Sequence, residues 1–226
     1  MRRTVTPELL DSDSGTPAEV AASLADLNFI NRWFGGIATL CAMIEKIADK
    51  TAQKSFTLLD VGAGTGTVVA QAAQRLARKN IELRPAILDR AMTHLTKSLH
   101  DRAPAFVADA LHLPFATGSF DLVACSTFAH HLEPRQLVEF VDRALEVARI
   151  AVLVNDLRRN AVHLALVYLG FPLFRSRITR HDGPVSVRRS YTTEEMLEML
   201  RRTRAARVQA ENYYLDRVGA IAWKKK

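Results

Sequence analysis

Three glycines within five positions, preceded by an acid, are the first residues whose types and spacing can hold a ligand. Gly62, Gly64 and Gly66 follow Asp60 in the stretch "LLDVGAGTGTVV". Glycines let a backbone turn sharply and approach a ligand closely. A loop of this kind between a strand and a helix suits a dinucleotide, a nucleoside triphosphate or another nucleoside-like ligand, or it only packs against the next strand.

Neighbouring residues separate these ligand classes. A triphosphate cradle needs a lysine followed by serine or threonine where the helix begins, but this helix begins with Thr67, Val68 and Val69. A dinucleotide fingerprint needs its last glycine at the position of Thr67. The carboxylate of Asp60 would also repel a pyrophosphate. It suits a ligand with a cationic or zwitterionic end.

The elements that position this loop alternate between strands and helices. Apolar strand patterns separated by helical patterns predict right-handed crossovers and a mainly parallel sheet with helices on both faces. Ligands of such sheets bind beyond the carboxyl ends of the strands, where the glycine loop lies. The predicted strands are "SFTLLDVG", "RPAILD", "APAFVAD", "SFDLVACST", "IAVLVNDL" and two within "RVQAENYYLDRVGAIAWK".

The N-terminal region follows a different pattern. Residues 1–15 are polar and irregular, which predicts a loose tail. Thr16 and Glu19 then have the spacing of a capping box, and a helix is expected to continue to Trp33 before a break at Gly35–Gly36. We divide the chain into residues 1–50, with the tail and cap helices, and residues 51–226, a Rossmann-like domain with a lid insertion at about 157–190.

Composition narrows the function classes. The chain has 226 residues, 48% of them hydrophobic, and a net charge of +7. Its two cysteines give neither a disulfide framework nor the spacing of a metal site, and no metal is expected. The N-terminus lacks the apolar region of a secretory signal and no apolar stretch is long enough to span a bilayer, so we expect a cytoplasmic monomer or homodimer. The arginines are dispersed, so nucleic-acid binding is not expected.

The motifs in residues 56–156 resemble those of class I S-adenosylmethionine-dependent methyltransferases. "LLDVGAGTG" is similar to motif I of that family, and Asp89 stands where the family places an acid on the ribose hydroxyls. "ADALHLPFATGSFDLV" resembles the small-molecule, quinone-biosynthesis-like branch, in which Asp109 would accept from the adenine amino group and Ala110 would donate its backbone N–H. "STFAHHLEP" resembles the segment that closes over the methionine moiety.

The resemblance implies a fold, a cofactor and a set of cofactor-binding residues. The fold is an α/β Rossmann-like class I methyltransferase fold with a mainly parallel, seven-stranded sheet. The cofactor is S-adenosyl-L-methionine, which leaves as S-adenosyl-L-homocysteine. The implied cofactor-binding residues are Arg32, Asp60, Gly62, Ala63, Gly64, Gly66, Asp89, Arg90, Asp109, Ala110, Leu111, Ser126 and Thr127. One departure is "EVARIAV", where the family has a "PGG"-like turn.

The residues after the fourth strand bear on the methyl acceptor. Ser126–Ala129 lack the Asn/Asp–Pro–Pro–aromatic pattern of enzymes that methylate base nitrogens, so we disfavour that reaction. His130 and His131 follow, and a neutral imidazole is a fitting base for a phenol or enol. We predict one of them as the catalytic base and prefer His131. Alternatively, one of them packs or caps the helix that begins at Pro134.

The segment 160–190 is apolar in its first half and rich in arginine in its second half. It falls where the family builds a substrate lid, so it predicts an amphiphilic acceptor. Alternatively, it forms a helical hairpin with an exposed basic face. The candidate substrate residues are Trp33, His130, Arg175, Arg177 and Arg180.

These patterns favour O-methylation of a small hydroxylated aromatic, quinol or polyketide-like acceptor, as in secondary metabolism. C-methylation of a similar acceptor remains an alternative. Two others are methylation of RNA or protein, and a cofactor-binding subunit without catalysis.

Overall fold

Seven strands form one sheet in the part of the chain that this computed structural model describes, residues 1–12, 14–95, 103–214 and 216–225. Their spatial order is β3-β2-β1-β4-β5-β7-β6. The first five strands pair in parallel, while β7 runs antiparallel to both β5 and β6. The strands are β1 Ser55–Val61, β2 Glu82–Asp89, β3 Ala105–Val107, β4 Phe120–Ser126, β5 Ala148–Leu157, β6 Arg207–Tyr213 and β7 Arg217–Trp223.

Helices cover both faces of the sheet, and each face has its own apolar core. Side chains of α2 and α3 pack on one face, and side chains of α5 and α8 pack on the other. The predicted α/β class, the mainly parallel sheet and the Rossmann-like fold are therefore confirmed. The helices are α1 Pro17–Trp33, α2 Gly36–Thr51, α3 Thr67–Ala77, α4 Met92–Leu95, α5 Pro134–Val147, α6 Ala161–Leu169, α7 Arg177–Arg189 and α8 Thr193–Leu200.

Local capping signals in the sequence correspond to the observed helix ends. Thr16 and Glu19 form the predicted capping box of α1. Gly35, with a φ of +81°, separates α1 from α2. A second capping box, made by Thr192 and Glu195, begins α8. The stretch "MTHLTKSLH", whose pattern predicts a helix, begins as α4, and its last five residues, 96–100, lie outside the described residues.

The prediction that residues 1–15 form a loose tail is wrong. The backbone N–H groups of Leu9 and Leu10 donate to the two carboxylate oxygens of Asp182, at 2.9 and 3.0 Å. Glu8 is buried, and residues 10–12 form a single 3-10 turn. The segment is polar because its polar groups meet partners from α7, some 170 residues away, and sequence composition carries no sign of such partners.

The region predicted as a lid folds into α6, a 3-10 turn and α7. Helix α7 packs on α1 through a small apolar cluster of Val20, Leu24 and Ile178. Asp26 of α1 accepts hydrogen bonds from the backbone N–H groups that precede α7. With the N-terminal segment, α1 and α7 lie over the carboxyl ends of the strands. The division into an N-terminal part and a Rossmann-like domain stays a prediction.

The apolar half of this region does not face the ligand cavity described below. Val162, Leu166 and Leu169 of α6 are exposed instead. None of the helices in the described part of the chain is long and apolar enough to cross a membrane.

Candidate active site

A cavity of about 540 Å³ opens at the carboxyl ends of β1, β2 and β4. The glycine loop forms its floor, and α1, α7 and the N-terminal segment contribute to its walls. Of the residues predicted from the sequence, those that line the cavity are Asp60, Gly62, Ala63, Gly64, Asp89, Arg90, Asp109, Ala110, Leu111, Ser126, Thr127, His130 and His131. Segments from opposite ends of the chain therefore meet at one ligand-sized space.

All three glycines of the loop adopt left-handed backbone conformations, and Gly62 and Gly64 do so for different reasons. Gly62 has a φ of +68°, and a Cβ atom there would lie 2.6 Å from the ring of Phe128. Gly64 has a φ of +53°, and a Cβ atom there would meet open space. Gly62 thus allows close packing of the loop, while Gly64 leaves room on the ligand side. Gly66 is the N-cap of α3 and does not line the cavity.

Asp89 holds the glycine loop through its carboxylate. One oxygen accepts from the N–H of Gly64 at 2.8 Å, and the other accepts from the N–H of Ala91 at 2.9 Å. Each carboxylate oxygen has a further lone pair, and the side chain lines the cavity. The residue can therefore support the loop and accept hydrogen bonds from a ligand's hydroxyl groups at the same time.

The carboxylate of Asp60 is buried at the cavity and has no hydrogen-bond partner among the described residues. The residue is 1% exposed. Burial, with a smaller contribution from the charge of Asp89, raises the pKa of Asp60 to about 7. A buried carboxylate without a partner is costly, and a ligand with a cationic group would supply the missing partner. The site therefore fits the zwitterionic methionine end of S-adenosylmethionine.

Asp109 lies at the exposed rim of the cavity. Its carboxylate accepts from the backbone N–H of Leu111 at 2.9 Å and lies 3.4 Å from Nδ1 of His112. The hydrogen bond from Leu111 is the main cause that lowers the pKa of Asp109. The carboxylate is thus charged and fixed in a position where an amino group at the rim can donate to it.

A buried arginine that sequence reasoning missed ties α1 to the end of β4. Arg217 of β7 is 1% exposed and donates to the hydroxyl of Thr127 at 2.9 Å and to the side-chain oxygen of Asn31 at 2.8 Å. Burial lowers the pKa of Arg217 to about 10, so it stays charged at neutral pH. No local signal identifies it, because its partners lie 90 and 186 positions away.

The His130 imidazole is enclosed between two carboxylates. Its Nδ1 lies 2.7 Å from one oxygen of Asp156, whose other oxygen accepts from the backbone N–H of His130 at 2.8 Å. Its Nε2 lies 3.3 Å from Glu8. Burial alone would lower the pKa of His130, but the charges of Asp156 and Glu8, together with the hydrogen bond to Asp156, raise it to about 10. A charged imidazole cannot accept a proton, so this geometry disfavours His130 as the base at neutral pH.

His131 is less buried and lies beside its neighbour's ring at a centroid distance of 4.2 Å. Nδ1 of His131 is 3.0 Å from Asp11, and Nε2 is 3.9 Å from Glu8. The alternative that one of these histidines caps α5 is not supported, because Glu133 and Gln136 form that cap. A catalytic role for His131 stays a prediction.

The three arginines predicted as substrate residues, Arg175, Arg177 and Arg180, do not line the cavity. Arg177 pairs with Glu19 of α1, Arg180 donates to a backbone carbonyl of the lid, and Arg175 stands at the junction with α1. Their substrate role stays a prediction that this geometry does not favour. Arg189 of the same segment borders the cavity instead, donating to the carbonyl of His131 at 2.8 Å.

Arg32 and Trp33 also lie outside the cavity wall. The guanidinium of Arg32 lies over the Trp33 ring at 5.4 Å, and the indole is 61% exposed. Asn28 and Asn31, one turn apart on the preceding part of α1, reach the cavity instead. Helix α1 thus borders the cavity through Asn28 and Asn31, whereas Arg32 and Trp33 are exposed, and their roles stay predictions that this geometry does not favour.

Comparisons with known proteins show what the central part of the chain is similar to. Residues 58–150 match the protein family described as "Methyltransferase domain". No curated protein is similar enough in sequence to count as a relative.

Solved structures share the fold at low sequence identity. The plantazolicin methyltransferase BamL, in complex with a triazolic desmethylPZN analog and SAH, superposes with a TM-score of 0.71 at 12% identity over 92% of this chain and 91% of that chain. An O-methyltransferase family 2 protein from Planctomyces limnophilus, in complex with apigenin, superposes with a TM-score of 0.62 at 18% identity. The match covers 95% of this chain and 63% of that chain. The CurJ carbon methyltransferase superposes with a TM-score of 0.57 at 15% identity, over 81% of this chain and 52% of that chain. The chain therefore shares the Rossmann-like fold of these methyltransferases, and its residues 58–150 are similar to the methyltransferase domain family.

Proposed function

We propose that this protein binds S-adenosylmethionine in the described cavity and transfers its methyl group to an oxygen of a small hydroxylated acceptor. The observation that carries the proposal is the cavity itself. It joins the glycine loop and the buried, unpartnered Asp60 to a second wall with apolar and histidine side chains. Its volume, about 540 Å³, lies within the range of roughly 300–1,000 Å³ that is usual for small-ligand sites.

The cofactor end would use three acids in three roles. Asp60 would pair with the ammonium of the methionine moiety, because it is buried and has no other partner in the described chain. Asp89 would accept from the ribose hydroxyls while it holds Gly64. Asp109 would accept from the adenine amino group at the rim, where its carboxylate is exposed.

The acceptor end combines apolar and polar walls. Leu24 and Leu27 of α1 contribute apolar surface, whereas His131 and Arg189 contribute polar groups. Such a wall suits a flat, partly apolar acceptor that carries a hydroxyl or acidic group. The Planctomyces limnophilus structure contains apigenin and the BamL structure contains a triazolic desmethylPZN analog, and these bound compounds support this acceptor class.

When bound, the cofactor supplies an already activated methyl group. The protein's own residues align the acceptor oxygen, exclude water and leave a path for the hydroxyl proton. The C–O bond forms as the C–S bond breaks, and the electron pair of the broken bond stays on sulfur. Because the protein supplies orientation, C-methylation remains the second candidate, supported by the fold shared with the CurJ carbon methyltransferase.

The experiment that tests this proposal has two stages. Thermal shift with S-adenosylhomocysteine, NAD and ATP should show stabilisation by the first ligand alone. Purified protein with methyl-labelled S-adenosylmethionine should then label members of a panel of phenols, quinols and β-keto acids, and mass fragmentation would distinguish O- from C-methyl products. Labelling of RNA or protein alone would overturn the acceptor class. Binding of the cofactor with no transfer to any acceptor would favour a non-catalytic subunit.

A further inference from the structure

Three side chains with metal-binding atoms converge on the acceptor end of the cavity. Nε2 of His130 lies 3.3 Å from Oε1 of Glu8, and Nε2 of His131 lies 3.9 Å from Oε2 of the same carboxylate. One ligand atom from each of the three residues can be chosen so that all lie within 4.8 Å of one another. The residues come from two segments, the N-terminal segment and the turn after β4.

Two of these atoms lack the hydrogen bonds that buried polar atoms usually make. Oε1 of Glu8 and Nε2 of His130 are buried, and neither has a hydrogen-bond partner among the described residues. Glu8 is 8% exposed and His130 is fully buried. The two atoms are 3.3 Å apart, which is close enough for an ion pair, but they are not aligned for a hydrogen bond.

The opposite nitrogen of each imidazole is held by a carboxylate. Nδ1 of His130 lies 2.7 Å from Asp156, and Nδ1 of His131 lies 3.0 Å from Asp11. A carboxylate on one ring nitrogen fixes the orientation of a histidine whose other nitrogen binds a metal. Both rings therefore direct Nε2 towards Glu8. Finding this arrangement twice in one cluster is the main geometric argument.

We propose that Glu8, His130 and His131 form a binding site for a divalent transition-metal ion, with Zn²⁺ the ion that the donor set suits best. Two imidazoles and one carboxylate are ligands that zinc prefers, and three protein ligands leave a coordination position open. Ligand distances of about 2.0–2.2 Å require the His131 and Glu8 side chains to close by about an ångström. A metal ion was not expected from the sequence, because Glu8 lies in a segment whose composition predicted a loose tail.

All three residues line the cavity, so an open coordination position would face it, and the use of that position rests on the proposed function. An oxygen or azole nitrogen of the acceptor would complete the coordination, so the site selects acceptors that carry such a donor atom. A hydroxyl bound to zinc loses its proton to solvent more readily than a free one. His131 would then be a ligand instead of the proton acceptor.

The test is zinc binding to the full chain, measured without any methyl-transfer assay. Protein freed of metal by dialysis against a chelator is titrated with ZnCl₂ in competition with a chromophoric chelator. We expect one equivalent to bind. Glu8→Gln and His131→Gln should each weaken zinc binding by about 100-fold or more, since loss of an outer-shell partner alone weakens it about 10–100-fold. Glu8→Gln preserves size, and far-ultraviolet circular dichroism establishes that both variants are folded.

His181→Gln is the matched control. His181 is also a histidine with Nδ1 beside a carboxylate, Asp182, at 2.8 Å, but it is half-exposed and lies outside the cluster. Its substitution should leave zinc binding unchanged. Absence of a bound equivalent in the wild type, or equal affinity in the folded Glu8→Gln and His131→Gln variants, would overturn the site. Separate calorimetry with S-adenosylhomocysteine distinguishes this failure from failure of the proposed function, because the proposed cofactor contacts are at Asp60, Asp89 and Asp109 and not at the three ligands.

Discussion

The carboxylate of Asp89, at the end of β2, accepts a hydrogen bond from the backbone N–H of Gly64 at 2.8 Å. The acid that the ligand would meet is therefore also the group that shapes the loop on the neighbouring strand. β1 and β2 pair in parallel register, with Val61 opposite Leu88. This pairing brings the ends of both strands to the same place, so loop geometry and ligand recognition depend on one side chain.

Substitution of Asp89 by alanine should weaken binding of S-adenosylhomocysteine by about 10- to 100-fold. The loss of a charge-assisted hydrogen bond costs roughly 1.5–3 kcal/mol, which corresponds to that range of affinity. Isothermal titration calorimetry measures the change. Asp142→Ala is the control, because that carboxylate accepts from the backbone N–H of Arg204, away from the cavity. Unchanged affinity in folded Asp89→Ala would remove the residue from the cofactor site.

The affinity for S-adenosylhomocysteine should increase as the pH rises through about 7. The pKa of Asp60 is raised to about 7, so below that pH the carboxyl is neutral and offers no charge to the ligand's ammonium. Calorimetry between pH 6 and 8 measures the slope, and Asp60→Asn should abolish it. A slope that persists in Asp60→Asn would assign the effect to another group.

The same pKa shift predicts a change in the stability of the ligand-free protein. The Asp60 carboxyl binds its proton more tightly in the folded protein than in the unfolded chain. The free energy of unfolding should therefore fall as the pH rises from 3.8, the ordinary pKa of this carboxyl, through about 7, its pKa in the folded protein. Urea unfolding of wild type and Asp60→Asn isolates this contribution. A wild-type curve parallel to that of Asp60→Asn over this window would contradict it.

Gly62→Ala and Gly64→Ala should differ although both replace a glycine of the same loop. Each carries a positive φ, which strains an L-residue by roughly 1–2 kcal/mol. Only at Gly62 would the added Cβ meet a ring, that of Phe128 at 2.6 Å. We expect Gly62→Ala to lower thermal stability and cofactor affinity clearly more than Gly64→Ala. Equal loss of stability in the two variants would contradict the packing role of Gly62.

Asp182→Asn should loosen the N-terminal segment over the cavity. The carboxylate accepts from Leu9 and Leu10, and hydrogen bonds to charged groups contribute roughly 1.5–3 kcal/mol. We expect faster hydrogen exchange in residues 4–12, with circular dichroism unchanged. Glu211→Gln, which removes an exposed pair with Lys46, is the control. Equal exchange in both variants would show that Asp182 does not hold the segment.

The sheet could be predicted from the sequence because its signals are local. Apolar strands such as "SFDLVACS", capping boxes at Thr16 and Thr192, and the glycines after β1 each indicate structure within a few residues. The position of the acids expected at the cofactor end could be predicted in the same way, because acids at strand ends meet at one edge of a parallel sheet. Asp60 and Asp89 accordingly line one cavity.

The acceptor end could not be predicted in the same way. Its residues meet through contacts over long sequence separations, such as Glu8 with His130 and Arg217 with Asn31. Composition classified residues 1–15 as a tail, yet Glu8 is buried. In the lid, both halves were expected to face the acceptor, whereas the apolar side chains of α6 are exposed and Arg177 pairs with α1.

A crystal structure with S-adenosylhomocysteine would show whether the cofactor binds in the described cavity with its sulfur next to the space for the acceptor. We expect the ribose hydroxyls within hydrogen-bond distance of Asp89, the ammonium beside Asp60, and the sulfur facing the space next to His131. S-adenosylhomocysteine bound outside this cavity, or bound inside it with the Asp60 carboxylate still unpaired, would contradict this placement.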